Sequence, residues 1–329
     1  MPTSPKRRAT FAKVQSGSRA IPWDRLTCQH RKRELFSREA AFREAWATFP
    51  DIFHSQVQRL LHRTATIVLK PEAIAGRRLD AVLTVLRREG FVPLVARPLL
   101  LSQPMACALW QYQWNKATVD RIRLHLYVAQ RCSSLFIILE DQKPELIIPA
   151  SVRLWGLKGP TDERRREPYH LRSAIGMKNR MIGFVHTADE PADIVREQGL
   201  FFDENERTAL WLEAAAALGS DRTSAVRRVG RLLEGQTPAH SIDISEVAER
   251  LRQRGDHQTH QLLQALEFGE NWTLREIATQ FGDLCDEAAR WDFVTLAAEL
   301  IAHDLPHAEP ILSAMVLEQV RRKWMDATH

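Results

Sequence analysis

The sequence has few cysteines and no long apolar segment, and each shortage excludes a class of protein. Its four cysteines are widely spaced and form no CxxC pair, which argues against a disulfide framework and against a zinc site: Cys28, Cys107, Cys132 and Cys285. No stretch reaches the roughly 18 apolar residues that a membrane span needs, and the N-terminus lacks the apolar core of a secretory signal. We therefore expect a cytoplasmic protein with reduced, mostly buried thiols and no membrane contact.

Charge is distributed unevenly along the 329 residues, although the composition of 44% hydrophobic and 26% charged residues is that of an ordinary soluble protein. The net charge of +5 combines +8 over residues 1–63, +5 over residues 64–203 and −8 over residues 204–329. A basic middle segment suits an anionic ligand such as a nucleotide. The basic N-terminus suits either nucleic acid or a solvated, disordered tail, and composition does not decide between them.

Strand and helix signals alternate between residues 64 and 203. Short apolar runs predict four strands, at 65–69, 91–101, 134–139 and 181–185. Helical spacing of apolar residues predicts helices, at 77–88, 103–115, 118–130 and 143–154, before a polar loop over 156–172. This order indicates an α+β sandwich of the split β-α-β type, although a small doubly wound sheet would also fit.

The two flanking regions have different patterns. We expect a basic, disordered tail over residues 1–36 and an amphipathic helical lead-in over 37–63 that starts at Ser37. After residue 203 no strand is predicted, and an acidic all-α domain over 204–329 is expected from seven helical segments: 210–218, 225–233, 244–251, 259–266, 273–281, 286–302 and 310–324. His257 and His260 lack a carboxylate or cysteine partner, so an exposed helical face is favoured over a metal site.

One histidine, His186, follows the last predicted strand and precedes a helix-start signal. Asp189 stands at the predicted N-cap of a helix that we expect to end at Gly199. Glu197 lies eight residues after Asp189, a little over two helical turns, and can return to the imidazole. The fragment fits a nucleophilic histidine held by a carboxylate and facing an anion, and it also fits a structural histidine at a strand end.

Several short motifs occur in a fixed order between the first predicted strand and this histidine. The segment TIVLKPEAI carries Lys70-Pro71 at a strand end, and the later motifs are Gly90-Phe91, Leu101-Ser102, Arg153, Leu171-Arg172, and His186 followed by Asp189, Glu197, Leu200 and Phe202. In this order and spacing, residues 65–202 resemble the nucleoside diphosphate kinase family. The resemblance implies a ferredoxin-like β-α-β-β-α-β sandwich with an antiparallel sheet over residues 64–203, followed by the all-α domain.

The resemblance also implies a reaction. In this family a histidine takes the terminal phosphoryl group of a nucleoside triphosphate and passes it to a diphosphate. By resemblance, His186 would be the nucleophile, Glu197 would bind its other ring nitrogen, and the nucleotide phosphates would contact four further residues: Lys70, Trp110, Arg153 and Arg172. ATP or another nucleoside triphosphate would be the substrate, Mg²⁺ would arrive on the nucleotide without a resident metal site, and the chain would form a homo-oligomer.

The sequence departs from the family's usual pattern close to these residues. Gly183 replaces an Asn, Thr187-Ala188-Asp189 replaces Gly-Ser-Asp, Trp110 replaces a Tyr, and the loop at 156–167 keeps only Gly159-Pro160 of a Thr-Asn-Pro motif. Three hypotheses therefore stay open. The first is phosphoryl transfer through a phosphohistidine, and the second is a catalytically degenerate nucleotide-binding sensor or scaffold whose helical domain contacts a protein partner. The third and weakest is nucleic-acid binding through the basic N-terminus.

Overall fold

In the described part of the chain, three α-helices precede the first strand. The computed structural model describes residues 20–145, 147–282, 284, 286–312 and 316–326. The first helices are α1 (His30–Phe36), α2 (Ala40–Phe53) and α3 (Val57–Arg63). The prediction of a disordered tail is wrong for residues 20–36, because Leu26 and Phe36 are buried in an apolar core, whereas residues 1–19 lie outside the described ranges. The lead-in helix starts after Glu39, since Ser37 ends α1.

An antiparallel sheet of four strands forms the centre of the next region. The elements follow in the order β1 (Thr64–Leu69), α4 (Pro71–Ala75), α5 (Leu79–Arg88), β2 (Phe91–Leu99), α6 (Gln103–Trp114), α7 (Val119–Ala129), β3 (Ser134–Asp141), α8 (Ala150–Lys158), α9 (Leu171–Ala174), β4 (Val185–Thr187) and α10 (Pro191–Phe201). The strands lie in the order β2-β3-β1-β4, and every neighbouring pair is antiparallel. The α+β fold class is confirmed, and the alternative of a doubly wound parallel sheet is wrong.

Two of these elements lie elsewhere than predicted. α8 begins at Ala150, seven residues after the predicted start at 143, because Pro149 disfavours helical backbone at the residue before it and leaves Pro149 itself as N-cap. β4 includes His186, whereas residues 181–184, which were expected to form the strand, lie before it. The histidine is therefore held by strand pairing instead of lying beyond the strand end.

α10 also differs from its prediction at both ends. Glu190, not Asp189, is the N-cap, and Asp193 completes a capping box with it. The helix continues through Gly199 to Phe201. A Cβ added at Gly199 would lie 2.1 Å from the backbone oxygen of Ala41, so this glycine permits close packing of α10 on α2 and does not stop the helix.

Seven helices lie in the described residues after residue 203, and the all-α character predicted for this region is confirmed. They are α11 (Glu204–Ala216), α12 (Thr223–Gln236), α13 (Ile244–Arg254), α14 (His257–Phe268), α15 (Leu274–Phe281), α16 (Glu287–Leu300) and α17 (Leu317–Asp326). The last one starts at Leu317 and not at residue 310; residues 313–315 lie outside the described ranges. His257 and His260 are exposed, as expected. Every helix in the described ranges is too short or too polar to cross a lipid bilayer.

Both faces of the sheet are covered by apolar cores that include the flanking regions. On one face Ile67 and Ile137 share a core with Leu233 of α12. On the other face Val68 shares a core with Phe42 of α2, together with Trp211 of α11. Because each large apolar side chain that leaves water contributes about 1.5–3 kcal/mol, both additions contribute to the stability of the sheet.

The cysteines that the structure describes are free thiols at partly buried positions: Cys28, Cys107 and Cys132. Burial raises the pKa of Cys28 to about 12 and the pKa of Cys132 to about 11. Both thiols are therefore protonated at neutral pH and are poor nucleophiles. The expectation of mostly buried thiols needs correction, because all three are only half-buried, and Cys285 lies outside the described residues.

Candidate active site

His186 lies in β4, and its imidazole contacts a carboxylate of α10. It pairs with Val68 of β1, whose side chain belongs to the core that α10 covers, so both side chains point to that face. Oε1 of Glu197 lies 2.7 Å from Nε2 of His186. Because an ionised carboxylate only accepts hydrogen bonds, Nε2 carries the proton. Among the described residues Nδ1 has no hydrogen-bond partner, and its lone pair is free.

The imidazole opens onto a cavity of about 290 Å³. This volume lies near the lower end of the range of about 300–1,000 Å³ found for small-molecule sites. Three cationic side chains in its wall belong to elements around β4: Lys70, Lys158 and Arg172. The flanking regions also contribute to the wall, through Gln29, Lys32, Phe36, Leu312 and Val320.

Lys70 and Arg172 converge on the backbone just before β4. Lys70 follows the last residue of β1 and is the N-cap of α4, where its side chain forms an ion pair with Glu72. A Cβ added at Gly183 would lie 3.4 Å from Nζ of Lys70 and 4.0 Å from Nη2 of Arg172. Gly183, which stands where the resemblance expects an Asn, thus lies close to both cations.

Arg172 is partly buried at the cavity wall. Its Nη1 donates a hydrogen bond of 2.6 Å to the backbone oxygen of Gly159, and its Nε has no partner among the described residues. Burial lowers the pKa of Arg172 to about 10, while Asp189 opposes this effect. The guanidinium remains charged at neutral pH, and an anion in the cavity would reduce the cost of burying that charge.

Arg153 does not lie in the cavity, which corrects the prediction that it lies with the other phosphate-binding candidates. Its Nε donates to Oδ2 of Asp141 at 2.6 Å, and its Nη2 donates to Oδ1 at 3.1 Å. The guanidinium also lies 5.1 Å from the ring centre of Phe91. These contacts turn Arg153 toward the end of β3 and use its hydrogen-bonding capacity there.

Lys158 is the cation of α8 that lines the cavity. It lies five positions after Arg153, which places the two side chains about 140° apart around the helix. Its Nζ lies 3.2 Å from Oδ1 of Asp189. Burial lowers the pKa of Lys158, and Asp189 acts in the opposite direction. The sequence signal for Lys158 was its place directly before Gly159-Pro160, where the family has the Thr of Thr-Asn-Pro.

An aromatic layer extends from the histidine along the cavity. The ring centre of Trp110 lies 6.1 Å from that of His186, with the planes at 89°. Trp110 also lies 5.8 Å from His125 and 5.3 Å from Trp114. Burial lowers the pKa of His125 well below its usual value, and the charges of Lys70 and Arg121 add to this effect. His125 is therefore neutral at physiological pH, and the layer presents flat, uncharged rings to a ligand.

Glu190, the N-cap of α10, joins three parts of the chain beside this cavity. Its carboxylate accepts hydrogen bonds from the N-terminal region, and Trp324 of α17 donates to it at 3.2 Å. The N-terminal donors are Oγ1 of Thr27 at 2.6 Å, the backbone N–H of Cys28 at 2.9 Å, Nε2 of Gln29 at 3.2 Å and Nζ of Lys32 at 2.9 Å. The cluster fixes the start of the helix that carries Glu197.

The structure thus brings five of the six predicted site residues to one cavity, and their roles there stay predictions: Lys70, Trp110, Arg172, His186 and Glu197. Sequence reasoning missed Lys158. It also missed Arg121 and Arg180, which line the same cavity and carried no motif. No group of three or more His, Cys, Asp or Glu side chains in the described part of the chain is arranged to hold a metal ion.

The fold and the site define a ferredoxin-like domain with a histidine in its edge strand β4. Comparison with known proteins shows which family this domain resembles. Residues 63–207 match the model of the family described as nucleoside diphosphate kinase, so this part of the chain is a nucleoside diphosphate kinase-like domain with additional regions before and after it. No curated protein matches the chain.

Two solved structures are similar to this region. The nucleoside diphosphate kinase of Aquifex aeolicus is 19% identical, with a TM-score of 0.36 over 44% of this chain and 97% of the kinase. A halophilic nucleoside diphosphate kinase from Halobacterium salinarum, in complex with CDP, is 17% identical, with a TM-score of 0.35 over 44% of this chain and 90% of the kinase.

Proposed function

We propose that this protein is a phosphotransferase of the nucleoside diphosphate kinase type. The observation that carries the proposal is the pair of His186 and Glu197, in which Nε2 is bonded at 2.7 Å and Nδ1 is free at a cavity lined by cations. A histidine can act as a nucleophile only through an unprotonated nitrogen, and the carboxylate keeps the proton on the other one. The family match of residues 63–207 supports the same reaction class.

The reaction proceeds in two transfers. The lone pair of Nδ1 forms a bond to the terminal phosphorus of a nucleoside triphosphate, while the bond from that phosphorus to the bridging oxygen breaks and the diphosphate leaves. Glu197 stabilises the positive charge that the phosphorylated ring acquires. A terminal oxygen of a second diphosphate then attacks the same phosphorus, and Nδ1 recovers its lone pair. Mg²⁺ enters as part of the nucleotide substrate.

Cations in the cavity are proposed to neutralise the negative charge of the transferred phosphoryl group. Phosphoryl transfer depends mostly on positioning and on neutralisation of the equatorial oxygens. Lys70 and Arg172, which converge at Gly183, are the proposed ligands of the phosphates nearest His186. Lys158 is a third proposed ligand. Trp110 is proposed to limit the space beside the imidazole.

A second candidate function is nucleotide binding without transfer, in a sensor or scaffold whose helical region contacts a protein partner. The observation in its favour is that the cations already have internal partners: Glu72 for Lys70, the Gly159 carbonyl for Arg172, and Asp189 for Lys158. A ligand phosphate would have to replace these contacts. Assembly into a homo-oligomer belongs to the first proposal and stays a prediction.

One labelling experiment separates the two functions. The full chain is incubated with Mg²⁺ and ATP labelled in its terminal phosphate, and the label on the protein is tested for loss in acid and retention in base. We expect label on the unaltered protein and none on His186→Ala. Glu197→Gln should be labelled about 100-fold more slowly, because the ring loses its orienting carboxylate.

His260→Ala is the matched control, since this histidine is exposed on α14 and should leave labelling unchanged. Label that persists on His186→Ala would contradict the phosphohistidine mechanism. Binding of ATP by calorimetry without any label would favour the sensor function.

A further inference from the structure

A second group of cations lies in the wall of the same cavity. Arg121 and Arg180 line it together with His186. Both contact the carboxylate of Asp304, which follows α16 and belongs to the C-terminal addition. Nη2 of Arg180 lies 3.7 Å from Oδ2, Nζ of Lys116 lies 3.1 Å from the same oxygen, and Arg121 forms an ion pair with Oδ1. Three cations thus share one carboxylate, which leaves an excess of two positive charges.

The segment that carries Asp304 is held in place by backbone hydrogen bonds as well as by the ion pairs of its carboxylate. The backbone N–H of Leu305 donates to the carbonyl of Lys116 at 2.7 Å, and the N–H of Thr118 donates to the carbonyl of His303 at 3.1 Å. Oγ1 of Thr118 also donates to the carbonyl of Ala302 at 2.5 Å. Loss of the carboxylate would therefore leave the segment in place, so the carboxylate and the segment can be tested separately.

The positive charge of this cluster is incompletely compensated. Nε of Arg121 is buried without a hydrogen-bond partner among the described residues, and the side chain is only 21% exposed. Burial lowers the pKa of Arg121, the charge of Arg180 adds to this effect, and Asp304 opposes it. A partly buried, incompletely paired cation gains from a further anion, because the cost of its desolvation has already been met by folding.

Both groups of cations line the cavity together with the aromatic rings. The ring centre of Trp110 lies 6.1 Å from that of His186 and 5.8 Å from that of His125. The charges of both Lys70 and Arg121 lower the pKa of His125, so one cation of each group lies close to this ring. Because both groups of cations line the same cavity, one ligand with a phosphate near His186 can carry a second anionic group to Arg121.

We propose that Arg121 and Arg180 form a second anion subsite, which takes a phosphate carried by the nucleoside half of the nucleotide that His186 dephosphorylates. This inference rests on the proposed function. A phosphate monoester carries about −1.5 to −2 charges at neutral pH, which matches the excess of two positive charges. The planar fork of an arginine also matches the oxygens of a phosphate better than a lysine does. In the free protein Asp304 fills part of this subsite.

The test compares two ligands by calorimetry on the full chain with Mg²⁺: ATP, and an ATP that carries a further phosphate on its 3′ hydroxyl. We expect the second ligand to bind the unaltered protein about 10-fold more tightly, because charge-assisted bonds to phosphate are strong. Arg121→Gln and Arg180→Gln should each reduce this preference toward 1. Asp304→Asn should increase it, since the competing carboxylate is gone.

Asp80→Asn is the matched control. Asp80 also contacts two arginines, Arg227 and Arg231, but at an exposed site away from the cavity, so the preference should stay at the unaltered value. Equal affinity for both ligands in all variants, with His186 still labelled by ATP, would overturn the subsite and leave the proposed function standing. A lower melting temperature of Arg121→Gln and Asp304→Asn with an unchanged ligand preference would also overturn the subsite. It would mean that the contact between Arg121 and Asp304 is purely structural. Failure of both ligands to bind would overturn both proposals.

Discussion

Two histidine–carboxylate pairs in this protein have nearly the same geometry and different surroundings. Nε2 of His186 lies 2.7 Å from Glu197, and Nε2 of His240 lies 2.9 Å from Asp292 of α16. The second nitrogen of His240 accepts a hydrogen bond of 3.0 Å from the backbone of Ile242, whereas that of His186 has no partner among the described residues. The pair distance therefore does not distinguish a reactive histidine from a structural one. The two histidines are distinguished by the second ring nitrogen, which is bonded in His240 and free in His186.

The carboxylates differ in the same way. Asp292 also accepts a bond of 2.7 Å from Arg250, and the side chains of Asp292 and His240 are each only 5% exposed. Oε2 of Glu197 has no hydrogen-bond partner among the described residues. A fully bonded buried network holds elements together, and here it ties the segment before α13 to α16. The pair at the cavity instead leaves two polar atoms without a hydrogen-bond partner among the described residues, Nδ1 of His186 and the buried Oε2 of Glu197.

The largest expected effect comes from removing each histidine in turn. His240→Asn should lower the free energy of unfolding by about 1–3 kcal/mol, because the buried Asp292 loses a hydrogen bond. His186→Asn should lower it by less, since His186 makes one of these hydrogen bonds instead of two and its side chain is 19% exposed against 5% for His240. Urea unfolding followed by circular dichroism measures both values.

Labelling by ATP should show the opposite order. His186→Asn should lose at least about 1,000-fold in labelling rate, and His240→Asn should keep the rate of the unaltered protein under conditions in which it is folded. Complete loss of labelling in folded His240→Asn, or equal destabilisation by both changes, would show that the free ring nitrogen does not set His186 apart from His240.

The parts of the fold that the sequence could predict depend on local signals. The strands at β1 and β3 are short apolar runs, Ser102 and Thr118 cap α6 and α7 with their side chains, and the order of the motifs around Lys70 and His186 indicated the family. Glu197 could be predicted because helical periodicity relates it to the start of α10. Such features need only a few neighbouring residues.

The parts that could not be predicted depend on contacts between distant residues. Lys32 meets Glu190 across 158 positions, and Arg121 meets Asp304 across 183 positions, and no sequence signal relates either residue to its partner. Arg153 was assigned to the cavity because the sequence does not give the direction in which α8 faces. That direction follows from the packing of α8 on the sheet, which places Asp141 beside Arg153.

A smaller effect distinguishes the two cations of α8. Lys158→Ala should weaken ATP binding by about 10-fold, because a cation at the cavity is lost. Arg153→Ala should leave the affinity within about 2-fold and instead lower the urea midpoint, since Asp141 loses its partner. Calorimetry with Mg²⁺ and ATP measures the affinities. If Arg153→Ala weakened ATP binding and Lys158→Ala did not, Arg153 and not Lys158 would be a phosphate ligand.

The smallest expected effect is the pH dependence of the structural pair. Burial alone would raise the pKa of Asp292, but hydrogen bonds from His240 and Arg250 outweigh it and lower the pKa below the ordinary value of 3.8. A carboxyl group whose pKa is lowered by folding stabilises the fold above its unfolded pKa, and this contribution is lost as the pH falls through the folded value. Asp292→Asn should therefore cost about 1 kcal/mol at pH 6, and the cost should shrink below about pH 4.

Measuring the cost of Asp292→Asn in a His240→Asn background tests whether the hydrogen bond from His240 is the cause. If the bond between the two side chains lowers the pKa of Asp292, then Asp292→Asn should cost less in that background at pH 6, by an amount that a double-mutant cycle gives directly. Urea midpoints of the four proteins between pH 3 and pH 7 supply the cycle. A cost that is equal in both backgrounds and constant down to pH 3 would mean that this pair is not held together by charge. The pair of His240 and Asp292 would then differ from the pair of His186 and Glu197 only in the packing around His240.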